Sequence, residues 1–362
     1  MPVPVFFLAL AVFAMGTSEF MLAGLVPEIA DALGVSLAQA GLLTSAFAVG
    51  LVVGAPLMAA VARSWRRRTA LLCFLAVFVV THVVGGLTGS FAVLLVTRLL
   101  AAVAYAGFLA VALTAAAELV PPERTGRALA VLLGGTTIAC VVGIPGGALL
   151  SAAFGWRAAF WAVALLCMPA VARIPDPPVT AKPSGLRKEL AELRRPRLAG
   201  TLLLGALVNA ATFGVFTYLA PLAAGLAPVP LVLALFGVGC FAGVTAAGRL
   251  ADRWPGRVVA FGGLLLLAGW VVLALVPAVL PLLAFPQGAL SFAVGGTVIT
   301  RILRLATGAP TMAGSYATAA LNVGAAAGPV LGAMVAPVWA AVALVAVALV
   351  LAVGLRLRWR WC

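Results

Sequence analysis

AFAVGLVVGAPLMAAVARSWRRR (46–68) and LFGVGCFAGVTAAGRLADRWPGR (235–257) lie 189 residues apart and share one pattern. In each, an apolar run set with glycine breaks into a tryptophan flanked by arginines. Phe47 falls on Phe236, Gly50 on Gly239, Gly54 on Gly243, Trp65 on Trp254 and Arg68 on Arg257. A long run without charge, ended by arginines, suits the hydrocarbon of a bilayer with a cytoplasmic surface at its end. A repeat at this distance divides the chain into two halves of like construction.

The rest of the chain reads the same way. Of its 362 residues 65% are hydrophobic and 9% charged, against about 25% charged in a soluble domain. Such a chain takes lipid as its solvent. Apolar runs place spans near 4–27, 38–61, 69–88, 91–117, 127–150, 157–173, 198–222, 229–247, 257–277, 279–300, 311–334 and 337–355. Only Pro337 separates the last two. The opening PVPVFFLALAVFAMG (2–16) lacks a basic start, and its apolar run continues to Val26, so it reads as an uncleaved first span.

The net charge of +14 does not describe a nucleic-acid binder, because the bases sit in short clusters between apolar runs. Clusters at 63–68, 124–127, 173–197, 249–257, 301–304 and 356–360 fall on alternate connections, and the opposite connections hold Glu28, Asp31 and Arg157. Both termini are therefore expected in the cytoplasm, with the chain a multi-pass protein of the cell membrane. Ile174 to Arg197 is polar and carries Pro175, Pro177, Pro178 and Pro183. It reads as a cytoplasmic linker with one short helical piece at 185–195, between six-helix bundles at 1–173 and 198–362. The fold expected is an all-α membrane protein of twelve transmembrane helices in two pseudo-symmetric bundles. Cys73, Cys140, Cys167, Cys240 and Cys362 show no metal or redox spacing, so no metal site is expected; acylation of Cys362 is a weak alternative.

Charges inside apolar runs carry the chemistry. Glu19, in AVFAMGTSEFMLAGLV (11–26), is expected well inside span one. A mid-membrane acid costs about 3 kcal/mol on insertion scales. It can take a proton from one side and release it to the other as its surroundings change. Arg98 opens span four and shares a helix face with Ala102, Tyr105 and Leu109, so its charge can couple to that proton. His82, in span three, is the chain's one histidine and a candidate relay, although bonding to neighbours is the commoner use of a buried histidine. In GRLADRWPGR (248–257), Asp252 with Arg253 and Arg257 can dock on the positive N-terminus of another helix and act as a latch.

Small residues in GGTTIACVVGIPGGALL (134–150), notably Gly143 and Gly147 around Pro145, allow close helix packing and a kink, with span eight as the expected partner. A substrate cavity is expected from Asn209, Thr212, Phe213 and Phe216 on one face of span seven, with Phe20, Tyr105, Tyr218, Phe292, Thr297, Ser315, Thr318 and Asn322. Aromatic walls with a few polar groups suit an amphipathic small molecule.

GTSEFMLAGLVPEIA (16–30), LLTSAFAVGLVVGAPLMAA (42–60), Arg98, FGWRAAFW (154–161) and ALNVGAAAGPVLGA (320–333) resemble the twelve-span drug/proton antiporters of the major facilitator superfamily. Within that branch the chain looks like the actinomycete chloramphenicol-resistance efflux proteins, over essentially its whole length. The resemblance implies two bundles rocking about a central site, with protons running inward and drug outward. It implies the proton gradient as energy source, no cofactor, no enzymatic step and a monomer in lipid. It also matches Glu19 to the acid of span one, Arg98 to the arginine of span four, and span five to the antiporter motif. Two departures stand out. Arg63 occupies the place matching Asp252, and the antiporter motif ends Gly-Ile-Pro-Gly-Gly rather than Gly-Pro-x-x-Gly-Gly. Export of a sugar, nucleoside or other metabolite is the alternative on the same fold. An intramembrane enzyme lacks an acidic pair or a metal-ligand cluster, and a channel lacks a ring of like polar groups.

Overall fold

The computed structural model describes residues 1–22, 25–174 and 185–358. Pro175, Pro177, Pro178 and Pro183 of the linker lie outside the described residues with Cys362, as does the side chain of Pro145. Among the described residues there is no strand. The first half runs α1 (Val3–Met21), α2 (Val26–Leu33), α3 (Leu37–Ala62), α4 (Arg67–Leu87), α5 (Phe91–Glu118), α6 (Thr125–Phe154) and α7 (Trp156–Arg173). A short α8 (Leu186–Ala191) follows. The second half runs α9 (Pro196–Thr217), α10 (Leu219–Ala223), α11 (Val229–Arg253), α12 (Pro255–Leu275), α13 (Leu280–Leu305), α14 (Ala313–Val335) and α15 (Pro337–Arg358). Omitting the short α2, α8 and α10, twelve long helices remain among the described residues. Eleven are long and apolar enough to cross a bilayer, and α7 supplies a shorter apolar stretch, Trp156–Val171.

Local chemistry sets the breaks. Ser36 accepts from the Gln39 N–H at 3.1 Å while Gln39 accepts from the Ser36 N–H at 2.9 Å, a capping box that opens α3. Gly155, at φ 76°, makes the turn between α6 and α7. Ala336, at φ 143°, ends α14 one residue before Pro337, which cannot continue a helix and restricts the residue before it. The arginine-rich end of α11 stays helical to Arg253, six residues past the expected limit, because arginine is a good helix former.

One boundary corrects the sequence reading. Span one was expected to reach residue 27, with Glu19 well inside it. Instead α1 ends at Met21 and α2 begins at Val26, with Pro27 in its first turn, where a missing N–H does no harm. Glu19 therefore stands in the last turn of α1.

The chain forms two compact units: residues 1–119 with 131–183, and residues 120–130 with 184–362. In the first, α5 packs along α3 and α4, and α7 along α1 and α4. In the second, α11 packs along α13, and α9 along α14 and α15. The repeated glycines explain these seams. A Cβ at Gly50 would lie 2.6 Å from the Ala102 Cβ, and one at Gly54 2.7 Å from the Val103 Cα, both on α5. Gly239 and Gly243, their repeat partners, meet the backbone of Phe285 and Ala289 on α13 in the same way. Within their own unit the span-eight glycines thus serve span ten, because the repeat gives each half the same internal crossing.

Candidate functional site

The expected proton site assembles within the first unit. Gly143 and Gly147 of α6 face the end of α1. A Cβ at Gly143 would come within 3.0 Å of the Phe20 Cβ, and one at Gly147 within 2.9 Å of the Met21 Cβ. Glycine at these positions lets α6 close on the turn that carries Glu19. Gly16, one turn earlier, makes room for the Tyr105 hydroxyl, 3.2 Å from where its Cβ would stand. Glu19 is half-buried and within electrostatic reach of the Arg98 guanidinium.

Arg98 is 1% exposed, and its strongest contacts are to Ser18 rather than Glu19. Nη1 donates to the Ser18 hydroxyl at 2.6 Å, and Nη2 to the Ser18 carbonyl at 2.9 Å. The Phe47 ring stands 4.2 Å from the guanidinium carbon. His82, 1% exposed, is bonded to Ser18 through Nε2 at 2.6 Å and to the Phe78 carbonyl through Nδ1 at 2.7 Å. Arg98 and His82 thus meet at Ser18, beside Glu19, while Tyr105, expected in the substrate cavity, packs beside Gly16 of the same helix as Ser18. Ser18, which joins Arg98 to His82, has no sequence signal beyond its place beside Glu19.

Asp252 stands in the last turn of α11, inside the second unit. It receives the N–H groups of Gly126 and Arg127, at 2.7 and 3.2 Å, at the start of α6. The helix N-terminus supplies unpaired donors and a positive field there. Its cation corrects the sequence reading. Arg253 and Arg257 stack on Trp254, 5.5 and 5.6 Å from the ring, and it is Arg304 at the end of α13 that pairs with Asp252, at 3.1 Å. The arginines nearby in sequence cover Trp254, while a base from another helix arrives.

Glu189 of α8 makes a second, similar contact. It is 0% exposed and accepts from the Thr311 N–H at 3.2 Å, the Thr311 hydroxyl at 2.6 Å and the Met312 N–H at 3.0 Å, just before α14. The Tyr316 hydroxyl donates to the Glu189 carbonyl at 2.8 Å.

The expected cavity residues of the second half take part in its internal packing. Asn209 donates to the Leu321 carbonyl at 2.7 Å, Thr212 to the Val208 carbonyl at 2.8 Å and Tyr218 to the Pro329 carbonyl at 3.0 Å. Thr297 and Thr318 donate to carbonyls of their own helices, and Ser315 to the Met312 carbonyl just before α14. Phe216 stacks on buried Phe236, with Phe213 edge-on to Phe216. Phe292, Phe213 and Asn322 remain half-buried. Helix-face arithmetic groups these side chains, but their polar atoms first satisfy the backbone, as burial in an apolar medium requires.

Long apolar helices with an acid and a buried arginine among them describe a membrane protein that keeps charge in its interior. The Major Facilitator Superfamily model matches residues 8–285, and the chain belongs to that family. It is 58% identical to the "Chloramphenicol resistance protein" of Streptomyces lividans, over 96% of this chain and 94% of that one. It is 33% identical to the inner membrane transport protein YdhP of Escherichia coli (strain K12), over 92% of this chain and 88% of YdhP. Among solved structures, the transporter FucP in the outward conformation matches with a TM-score of 0.79 at 16% identity, covering 98% of each chain. The fold is therefore the major facilitator fold, and the protein is a multi-pass membrane transporter of small molecules.

Proposed function

We propose that the protein exports small amphipathic drugs, chloramphenicol-type antibiotics first among them, in exchange for protons. The observation that carries this reading is Glu19 in the last turn of α1, electrostatically coupled to buried Arg98 inside an apolar bundle. An acid so placed binds a proton when open to one face and loses it when open to the other. The arginine makes that exchange sensitive to anything that moves the two apart. The name of the Streptomyces relative supports the cargo class. Exchange of a neutral drug for one proton moves charge, so transport would respond to membrane potential. Asp252 acts as a latch at the α6 end, and His82 stands at the coupling site. The proton gradient suffices as energy source, the drug leaves unaltered, and the protein works as a monomer in the bacterial plasma membrane with both termini cytoplasmic.

The test is expression in a drug-sensitive host. Phenicol tolerance should rise and should collapse when a protonophore is added. If inverted vesicles accumulate radiolabelled sugars or nucleosides but no phenicol, the metabolite reading replaces this one. A chemically altered drug recovered from purified vesicles would overturn the transport-only mechanism.

A further inference from the structure

We infer that Ser18 and His82 are positioning residues of the coupling site, which hold Arg98 beside Glu19 through a directed chain of hydrogen bonds ending on a neutral His82. The inference deepens the proposed proton coupling and rests on it for its transport consequence, though not for its geometry.

The direction of the chain follows from what each group can do. A carbonyl only accepts, so His82 Nδ1, 2.7 Å from the Phe78 oxygen, carries a hydrogen. A guanidinium only donates, so the Ser18 hydroxyl oxygen accepts from Arg98 Nη1 at 2.6 Å. The serine hydrogen is then free to point at His82 Nε2, also 2.6 Å away. Nε2 is left as the acceptor, which requires a neutral ring. A second hydrogen there would put an imidazolium next to the guanidinium in an apolar interior and leave the serine hydrogen without a partner.

The backbone completes the clamp. Because α1 ends at Met21, the Ser18 carbonyl lies in its last turn, where carbonyls lack helical partners, and Arg98 Nη2 takes it at 2.9 Å. Phe47 covers the guanidinium, and His82 is walled by Phe78 and Phe160, with ring centres 4.1 and 5.7 Å away. Two of the three guanidinium nitrogens are thereby fixed on Ser18, and Nε has no hydrogen-bond partner. Both ring nitrogens of His82 are engaged, so the histidine orients the arginine rather than carrying protons.

Two measurements test this. Because His82 is the one histidine in the chain, ¹⁵N-histidine labelling with a histidine-free purification tag gives a single imidazole spectrum in lipid nanodiscs. We expect hydrogen on Nδ1, none on Nε2, no change between about pH 5 and 8 despite the nearby charges of Arg98 and Glu19, and a displaced Nε2 signal in Ser18→Ala. The opposite tautomer, an imidazolium, or a signal that ignores Ser18→Ala overturns the inference whatever the cargo.

The second measurement is proton-driven phenicol uptake in inverted vesicles, normalised to protein in the membrane. Ser18→Ala and His82→Leu should each lower kcat by about tenfold or more with KM within about twofold. His82→Gln, which keeps an acceptor, should stay within about threefold of the parent. Full turnover in both Ser18→Ala and His82→Leu overturns the positioning role. If the parent itself moves no phenicol, the cargo reading falls, and the imidazole spectrum still decides the clamp.

Discussion

Asp252 and Glu189 do the same work at matching places: each carboxylate receives two backbone N–H groups at the start of the fifth long helix of a half, α6 for Asp252 and α14 for Glu189. In the repeat, Asp252 has Arg63 as its counterpart, so the first half's loop has no acid to offer there. The linker helix supplies one instead. A buried carboxylate that accepts several N–H bonds at a helix start is worth more than an exposed ion pair.

Glu189→Ala leaves the Thr311 and Met312 donors buried and unbonded, at a cost of about 1–3 kcal/mol. Undocking of α8 should expose the backbone beside Arg187 and Lys188. Trypsin should cut there faster than in the parent, and the thermal midpoint in detergent should fall. An unchanged cleavage rate would mean that α8 is held by other contacts.

Asp252→Asn keeps an acceptor but loses the charge that attracts both the α6 terminus and Arg304. A loss of about 1 kcal/mol is expected from the helix-end interaction. Arg304→Ala should cost less, since that side chain is 38% exposed and its pair is screened. Thermal unfolding of the two purified variants, side by side, gives the order.

Gly243→Ala pushes a methyl group into the Ala289 backbone, where no side chain can yield. Little folded protein should reach the membrane. Gly295→Ala, a substitution into open space on α13, is the control and should be neutral or slightly stabilising. Detergent-extracted, monodisperse protein is the readout, and equal yields would contradict the close seam between α11 and α13.

Arg98→Lys preserves charge but replaces a planar fork with a point donor that cannot hold both the Ser18 hydroxyl and carbonyl. Proton-coupled uptake should drop about tenfold or more. Glu19→Gln should abolish it while the protein remains in the membrane. Full phenicol resistance in Glu19→Gln would remove the acid from the mechanism.

Charges in hydrocarbon are conspicuous, which is why Glu19 and Arg98 could be read from the sequence and why the structure places them together. Ser18 could not. Serine is ordinary in membrane helices, and its value here comes from the end of α1 three residues later, a boundary that the apolar run hides. Asp252 was legible through its helix-end motif, but its partner Arg304 comes from a distant helix and looked like one more topological base. Glu189 stood among linker charges; only the folding back of α8 buries it. Glycine spacing likewise marked the small face of α11 and suggested span five as its neighbour, but it could not show that Gly239 and Gly243 meet α13.

The glycine seams have a consequence for descent. Where backbones touch, drift is blocked whatever the side chains do elsewhere, so two copies of an ancestral half could diverge in chemistry while retaining their joints. The chain's own asymmetry is of this kind: an acid, an arginine and a histidine in one copy, phenylalanines and amides in the other, on seams of the same make.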